Sequence, residues 1–277
     1  MNLSIIIAHY NPGDHPTCLE AFHKTISTIN NLDYSIEIII ADDGSITNKS
    51  IPILTKSIIN QNDKNIFHLH GEALETWKKE NGFDYPMIKH WLYLPKNEQV
   101  MGKARITNAS IMLAKSNNLF FLDDDNYFIS KNPITTIMKL FNEYQLIIGQ
   151  IKDHNGYFRP YSSNRVQGTT FGIKKEIIIN SGMFGEWTEQ TSSGVDSDIW
   201  WKLYHYFIKN STLKGCYTSE IQTIDSCSKR WRPFIKSFFR KRKLMKAFAK
   251  QHQCQNYNKV KYNPSRNKKK WLINLSR

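Results

Sequence analysis

Two short runs, 4–8 and 36–41, are dense in isoleucine and break off into the polar residues His9 and Asp42. Runs of this kind suit parallel strands buried on both faces. Between them, residues 17–31 place apolar side chains at Leu19, Phe22, Ile26 and Ile29, which is helical spacing. Parallel neighbours need a crossover of this kind, so the start of the chain predicts a βαβ unit. The alternation continues with an expected helix over 51–60, a strand over 91–94, a helix over 106–115 and a strand over 119–122. Residues 71–90, with glycines and charges, look like an insertion. The pattern predicts an α/β sheet whose working loops lie at the carboxyl ends of its strands.

Acid recurs at those ends. Residues 38–41 run into Asp42-Asp43-Gly44-Ser45, and 119–122 run into Asp123-Asp124-Asp125. Adjacent carboxylates repel, and a cation held by their oxygens is one reason to tolerate them. A solvated turn is the other, and Asp-Gly-Ser is good turn chemistry. Two acidic strand ends on one sheet edge converge on one crevice. There a carboxylate accepts hydrogen bonds from a base or ribose, and Gly44 lets backbone approach a ligand.

At 277 residues the chain accommodates one large or two small domains, and its hydrophobic content is that of a globular protein. No apolar stretch approaches the roughly 18–20 residues that span a bilayer. Residues 1–7 lack the basic region and cleavage site of a signal peptide and read as a first core strand. Cys18, Cys216, Cys227 and Cys254 show no metal or redox spacing, which points to a reducing cytoplasmic setting. The net charge of +14 is unevenly spread: residues 226–277 hold 17 Lys/Arg and no acid, leaving 21 basic against 24 acidic residues in 1–225. This predicts a body, 1–225, and a basic extension, 226–277. Within the extension, 233–250 predicts an amphipathic helix. Phe234, Ile235, Phe238, Leu244, Met245 and Phe248 lie on one side, and Lys236, Arg240, Lys243, Lys246 and Lys250 on the other. Such a helix, with Lys268-Lys269-Lys270-Trp271 behind it, fits an anionic membrane surface over 233–277. The alternative is a helix packed on the body with its basic face in water. No RNA- or DNA-binding motif accompanies the charge, so no nucleic-acid partner is expected.

Five segments in order resemble family-2 glycosyltransferases of the GT-A fold. They are Ser4-Ile5-Ile6-Ile7-Ala8-His9-Tyr10-Asn11, residues 38–45, residues 122–126 with the Asp-x-Asp element, Gly182-Met183-Phe184-Gly185-Glu186, and Val195-Asp196-Ser197-Asp198-Ile199-Trp200-Trp201-Lys202. The resemblance covers about residues 3–205. It implies a Rossmann-like mixed sheet flanked by helices, with a nucleotide-binding half over about 1–115 and a metal and acceptor half over 116–225.

The same resemblance implies roles. Tyr10 and Asp43 contact the nucleobase, with Asp42 beside them. Asp123 and Asp125 hold Mg²⁺ or Mn²⁺, while Asp124 is grouped with the donor-binding residues. Asp196 is the general base, its alternative being a charge at a helix N-terminus. Where the family has Ala-Arg-Asn, this chain has Ile106-Thr107-Asn108, and Lys103 and Arg105 upstream become the candidates to face the diphosphate. Val195 replaces the family's Glu, which leaves Asp198 as a possible second acidic contact. His9 stands where the family often has Thr. Residues 167–171 resemble the segment beneath the acceptor, Trp187, Trp200 and Trp201 are candidates to stack on a sugar, and Glu186 and Glu189 are candidates to bind its hydroxyls.

The implied activity is inverting, metal-dependent transfer from a nucleoside-diphosphate sugar, UDP-linked by expectation, to a glycan or lipid-linked acceptor. Bacterial surface polysaccharide synthesis at the inner membrane face is the implied setting. A nucleotidyltransferase is the competing enzyme class, but 11–15 lacks the basic phosphate loop it needs. A non-catalytic binding module is the third reading, which intact Asp123, Asp125 and Asp196 oppose.

Overall fold

The computed structural model describes residues 1–11, 16–29, 34–45, 66–96, 102–161, 167–226, 234–253 and 271–276, with backbone alone at 16 and 234–240. The helix expected over 51–60, the loop 12–15 and the basic run 268–270 lie outside the described residues. In chain order the elements are β1 (Leu3–His9), α1 (Pro16–Ser27), β2 (Ile36–Asp42), β3 (Phe67–His70), α2 (Gly71–Glu80), β4 (Ile88–Tyr93) and α3 (Lys103–Leu113). There follow β5 (Asn118–Asp123), β6 (Asn126–Phe128), α4 (Pro133–Leu140), β7 (Leu146–Lys152), β8 (Phe171–Lys174) and α5 (Lys175–Asn180). A 3-10 turn (Glu186–Thr191), α6 (Val195–Lys209), β9 (Gly215–Asp225), α7 (Phe234–Gln251) and β10 (Leu272–Asn274) complete the chain.

The expected βαβ unit is present, with β1 parallel to β2. The strands form one mixed sheet in the order β10-β9-β7-β8-β5-β1-β2-β4-β3, and β6 pairs with β9. Strands β1, β2, β4 and β5 are parallel, while β8 runs against both β5 and β7. Alternate side chains feed two cores. Ile5, Ile7, Ile38, Ile40 and Phe120 pack with Phe22 of α1 on one face, and Ile6, Ile39 and Phe121 pack with Ile106 of α3 on the other. Burial on both faces explains why these strands read as near-continuous apolar runs.

Residues 71–90, expected to be an insertion, are ordered. They hold α2 and the start of β4, and the α2 residue Trp77 stacks on Phe83 at 5.4 Å and meets Trp91 edge-on at 4.7 Å. Leu74, Trp77 and Lys78 share the buried side of α2, where Lys78 Nζ donates to the Tyr85 carbonyl at 2.9 Å.

The basic extension also returns to the body. Phe248 is fully buried, and β10 pairs in parallel with β9, Leu272 opposite Gly215. The apolar side expected to enter lipid therefore meets protein at Phe248, while Lys241, Arg242, Lys243, Lys246 and Lys250 stay exposed. Among the described residues no helix is long and apolar enough to cross a membrane.

At the β3–β4 edge, His68 Nε2 lies 3.0 Å from His90 Nδ1. Burial, reinforced by His90 and His70, lowers the His68 pKa from 6.5 to about 4. Burial also lowers His90, against the pull of Glu37. The unfolded chain takes up protons in this window that the folded chain refuses. His68 therefore leaves stability intact above about 6.5 and erodes it as pH falls toward 4. Melting temperature is expected to drop from about pH 7 to about 4, and more steeply than in His68→Gln. An equal slope in the variant would remove His68 from the acid response.

Candidate active site

The parallel register lines up the acidic strand ends. His9 is opposite Asp42, Asp42 opposite Tyr93, and Ala8 opposite Asp123, so one sheet edge carries both aspartate clusters. Strand β8 enters at the same edge, because Phe171 pairs with Phe121 and residues 167–170 lie just before it.

On the β1–β2–β4 side, Asp43 Oδ2 pairs with Lys96 Nζ at 2.7 Å and Asp43 Oδ1 accepts from the Gly102 amide at 2.7 Å. Lys96 Nζ also lies 4.8 Å from the Tyr10 ring centroid. Burial raises the Asp43 pKa; Lys96 and the Gly102 amide oppose the rise, and Asp42 adds to it. Tyr10, Asp43 and Lys96 thus form one cluster. Lys96 is not among the sequence candidates, although it follows β4 and so marks a third strand end on this edge.

Asp42 and Asp124, expected near the donor, turn inward, as does His9. Asp42 is fully buried and accepts from the Ser45 amide at 2.8 Å and Trp91 Nε1 at 3.2 Å. Asp124 is 2% exposed and accepts from the Tyr10 amide at 2.9 Å, with His9 Nδ1 at 2.9 Å. His9 stacks on Phe22 at 4.2 Å. Asp124 and His9 therefore tie the end of β5 to the end of β1, and Asp124 aims the Tyr10 backbone from behind.

The β5–β6 turn presents Asp123 and Asp125. Asp123 is half-buried, its amide donates to Thr169 Oγ1 at 2.8 Å, and Oδ1 pairs with Lys103 Nζ at 2.6 Å. Asp125 Oδ1 accepts from Asn126 Nδ2 at 2.8 Å, while its carbonyl accepts from the Ser226 amide and hydroxyl at 2.9 and 3.0 Å. The end of β9 thus anchors the turn. Among the described residues no group of three or more His, Cys, Asp or Glu could hold a metal. Two hard carboxylates are a partial donor set, which fits an ion that takes its remaining oxygens from phosphates and water.

Arg105, in the first turn of α3, pairs with Glu189 Oε2 at 2.6 Å. Burial raises the Glu189 pKa, Arg105 opposes that, and Glu186 adds to it. Asn108 binds the Phe184 carbonyl at 2.9 Å and the Phe184 amide at 3.0 Å, which staples α3 to the 182–186 segment.

Asp196 lies in the first turn of α6, whose N-cap position is Gly194 at φ 97°. A Cβ on Gly168 would overlap the Asp196 carboxylate, so the small residue expected beneath the acceptor lies directly against the candidate base. Thr170 is fully buried with φ 60°, a rare conformation for a β-branched residue. It is held by Thr223 Oγ1 at 2.6 Å and by its amide to the Phe121 carbonyl at 2.8 Å. The strained segment connects Asp123, through Thr169, to Asp196, through Gly168.

Asp198 is not an acceptor contact. It is fully buried and accepts from the Gly185 amide at 2.7 Å, Trp187 Nε1 at 2.8 Å, Lys202 Nζ at 2.7 Å and His252 Nε2 at 2.9 Å. Trp200 donates to the Gln167 carbonyl at 2.7 Å, and the partly exposed Trp201 packs on Phe248 at 5.6 Å. Glu186 is exposed beside Asn108.

No protein-family model matches this chain, and no curated protein does. Solved structures match. The mannosyltransferase PcManGT from Pyrobaculum calidifontis, in complex with GDP-Man and Mn²⁺, superposes with TM-score 0.56 at 13% identity, over 92% of this chain and 65% of that one. S. aureus TarS gives TM-score 0.49 at 14% identity over 81% of this chain and 35% of that one. TarS 1–349 in complex with UDP-GlcNAc gives 0.48 at 15% identity over 90% and 67%. The chain thus spans about two thirds or less of the solved chains it matches. At these identities the likeness is one of fold, and it rests on PcManGT: a GT-A-like mixed α/β sheet flanked by helices.

Proposed function

We propose that this chain is an inverting, metal-dependent glycosyltransferase, moving a sugar from a nucleoside-diphosphate sugar to a hydroxyl of a glycan or lipid-linked acceptor. The observation that carries the reading is the convergence at one sheet edge of three sets. These are Tyr10, Asp43 and Lys96; Asp123 and Asp125; and Asp196 over Gly168, joined through Thr169. The fold shared with a mannosyltransferase in complex with GDP-Man and Mn²⁺ supports it.

In this reading Asp43 and Tyr10 hold the nucleoside. Asp123 and Asp125 hold a Mg²⁺ or Mn²⁺ ion, which when bound offsets the negative charge growing on the leaving diphosphate. Lys103 and Arg105, in the first turn of α3, bring two further cations to that side, where a helix N-terminus also favours anions. Asp196 takes the proton of the attacking hydroxyl. A single base opposite the leaving group gives one displacement, and hence inversion at the anomeric carbon.

A panel of UDP- and GDP-sugars with Mn²⁺ or Mg²⁺ tests this by thermal shift and by product formation. One nucleotide series, UDP-linked by expectation, should raise the melting temperature by roughly 5–10 °C near a hundredfold excess over Kd. Chelation of the metal, or Asp125→Ala, should remove most of the shift. No shift and no transfer with any member of the panel would end the reading.

A further inference from the structure

We propose that α7 positions the catalytic carboxylate, with His252 as the positioning residue; this rests on the glycosyltransferase reading of Asp196. The helix and the turn that follows it touch the start of α6 at two points that bracket Asp196. Leu244 packs so closely on Gly194 that a Cβ there would overlap it, and His252 Nε2 reaches Asp198 Oδ1 at 2.9 Å. Residues two apart on a helix point about 200° away from each other, so Asp196 and Asp198 occupy opposite faces. Asp198 is the inward anchor, and holding it aims Asp196 toward Gly168.

The same anchor reaches the acceptor side. Asp198 accepts from the Gly185 amide and from Trp187 Nε1, which fixes the 3-10 turn carrying Glu189, the partner of Arg105. Phe248 closes the joint. It is fully buried, 4.4 Å from the His252 ring, 5.6 Å from Trp201 and 6.1 Å from Trp187. Asp198 has three other donors, so loss of His252 leaves it bonded while loosening one side of its cage. The expected consequence is a small displacement of the base with the nucleotide side intact, because Tyr10, Asp43 and Lys96 lie on the β1–β2–β4 edge.

The test uses the full chain and three readouts. His252→Ala should lower kcat by about 10- to 100-fold, the cost of a small misplacement, while KM for the donor stays within about twofold. His252→Gln, which keeps a side-chain N–H, should recover most of the loss. Amide exchange should quicken over 185–198 and remain unchanged over 36–45 in His252→Ala. Unchanged kcat, or equal losses in both variants together with weakened donor binding, would overturn the proposal. If His252→Ala does not fold, Leu244→Ala takes its place, with the same losses expected and the same results overturning the proposal. If the wild type transfers no sugar, the glycosyltransferase reading fails separately, and unchanged exchange over 185–198 would then overturn the positioning role.

Discussion

Replacing Asp196 with Asn is expected to lower sugar transfer by about 10²–10⁴-fold, the usual worth of a general base. Nucleotide affinity should stay within about twofold, since the substitution keeps the side-chain size and the nucleotide side lies on other elements. Asn preserves the shape that rests on Gly168, and Gly194 already occupies the N-cap position, so the helix start does not depend on this carboxylate. The lost charge at the first turn costs about 0.3–1 kcal/mol, too little to unfold the chain. The donor contacts are on other elements: Asp43 is held by Lys96 and Gly102, and Asp123 by Lys103 and Thr169. Gly168→Ala should reproduce much of the loss, because its methyl group displaces the carboxylate. The double variant should then be little worse than Asp196→Asn alone, as expected for two changes acting on one group. Initial rates and titration calorimetry on the same preparations check both parts. Turnover within a few-fold of wild type would remove Asp196 from the mechanism.

The parts of the site legible in the sequence are those fixed by strand periodicity. Apolar runs ending in acid place Asp42, Asp43 and Asp123 on one edge, because parallel strands in register end together. What periodicity does not reveal is which way a side chain faces beyond the strand. Of two adjacent aspartates, Asp43 meets Lys96 near the Tyr10 ring while Asp42 is consumed by the Ser45 amide and Trp91. Asp124 likewise looks like its neighbours in sequence, but the turn after β5 rotates it toward His9. The extension is ambiguous for a different reason. Lys241, Arg242, Lys243, Lys246 and Lys250 face water, but an amphipathic pattern reports only that the apolar side is covered, not by what. Phe248 is covered by Trp187, Trp201 and His252. Long-range pairs such as Asp198 with His252 have no local signature at all.

Asp198→Ala is expected to be the most destabilising single change at the site, by about 3–5 kcal/mol, because removing one member of a buried charged cluster strands the others. Four donors converge on this carboxylate, and a methyl group offers none of them an acceptor. For a chain of this size the melting temperature should fall on the order of 10 °C. The native environment already shows how strongly the charge is held. Burial alone would raise the Asp198 pKa, yet the His252 hydrogen bond, the Lys202 charge and hydrogen bond, and Trp187 together bring it below the ordinary value. A depressed carboxylate pKa contributes stability that is complete above the ordinary carboxylate range and is lost only as pH falls through the lowered value. Asp198 and His68 therefore fail at different acidities. In Asp198→Ala the melting temperature should be lower at every pH from about 5 to 8, with the His68-dependent slope unchanged, because the two groups act independently. Calorimetry across that range separates them, and a melting temperature within about 2 °C of wild type at neutral pH would show that Asp198 does not hold α6, the 3-10 turn and α7 together.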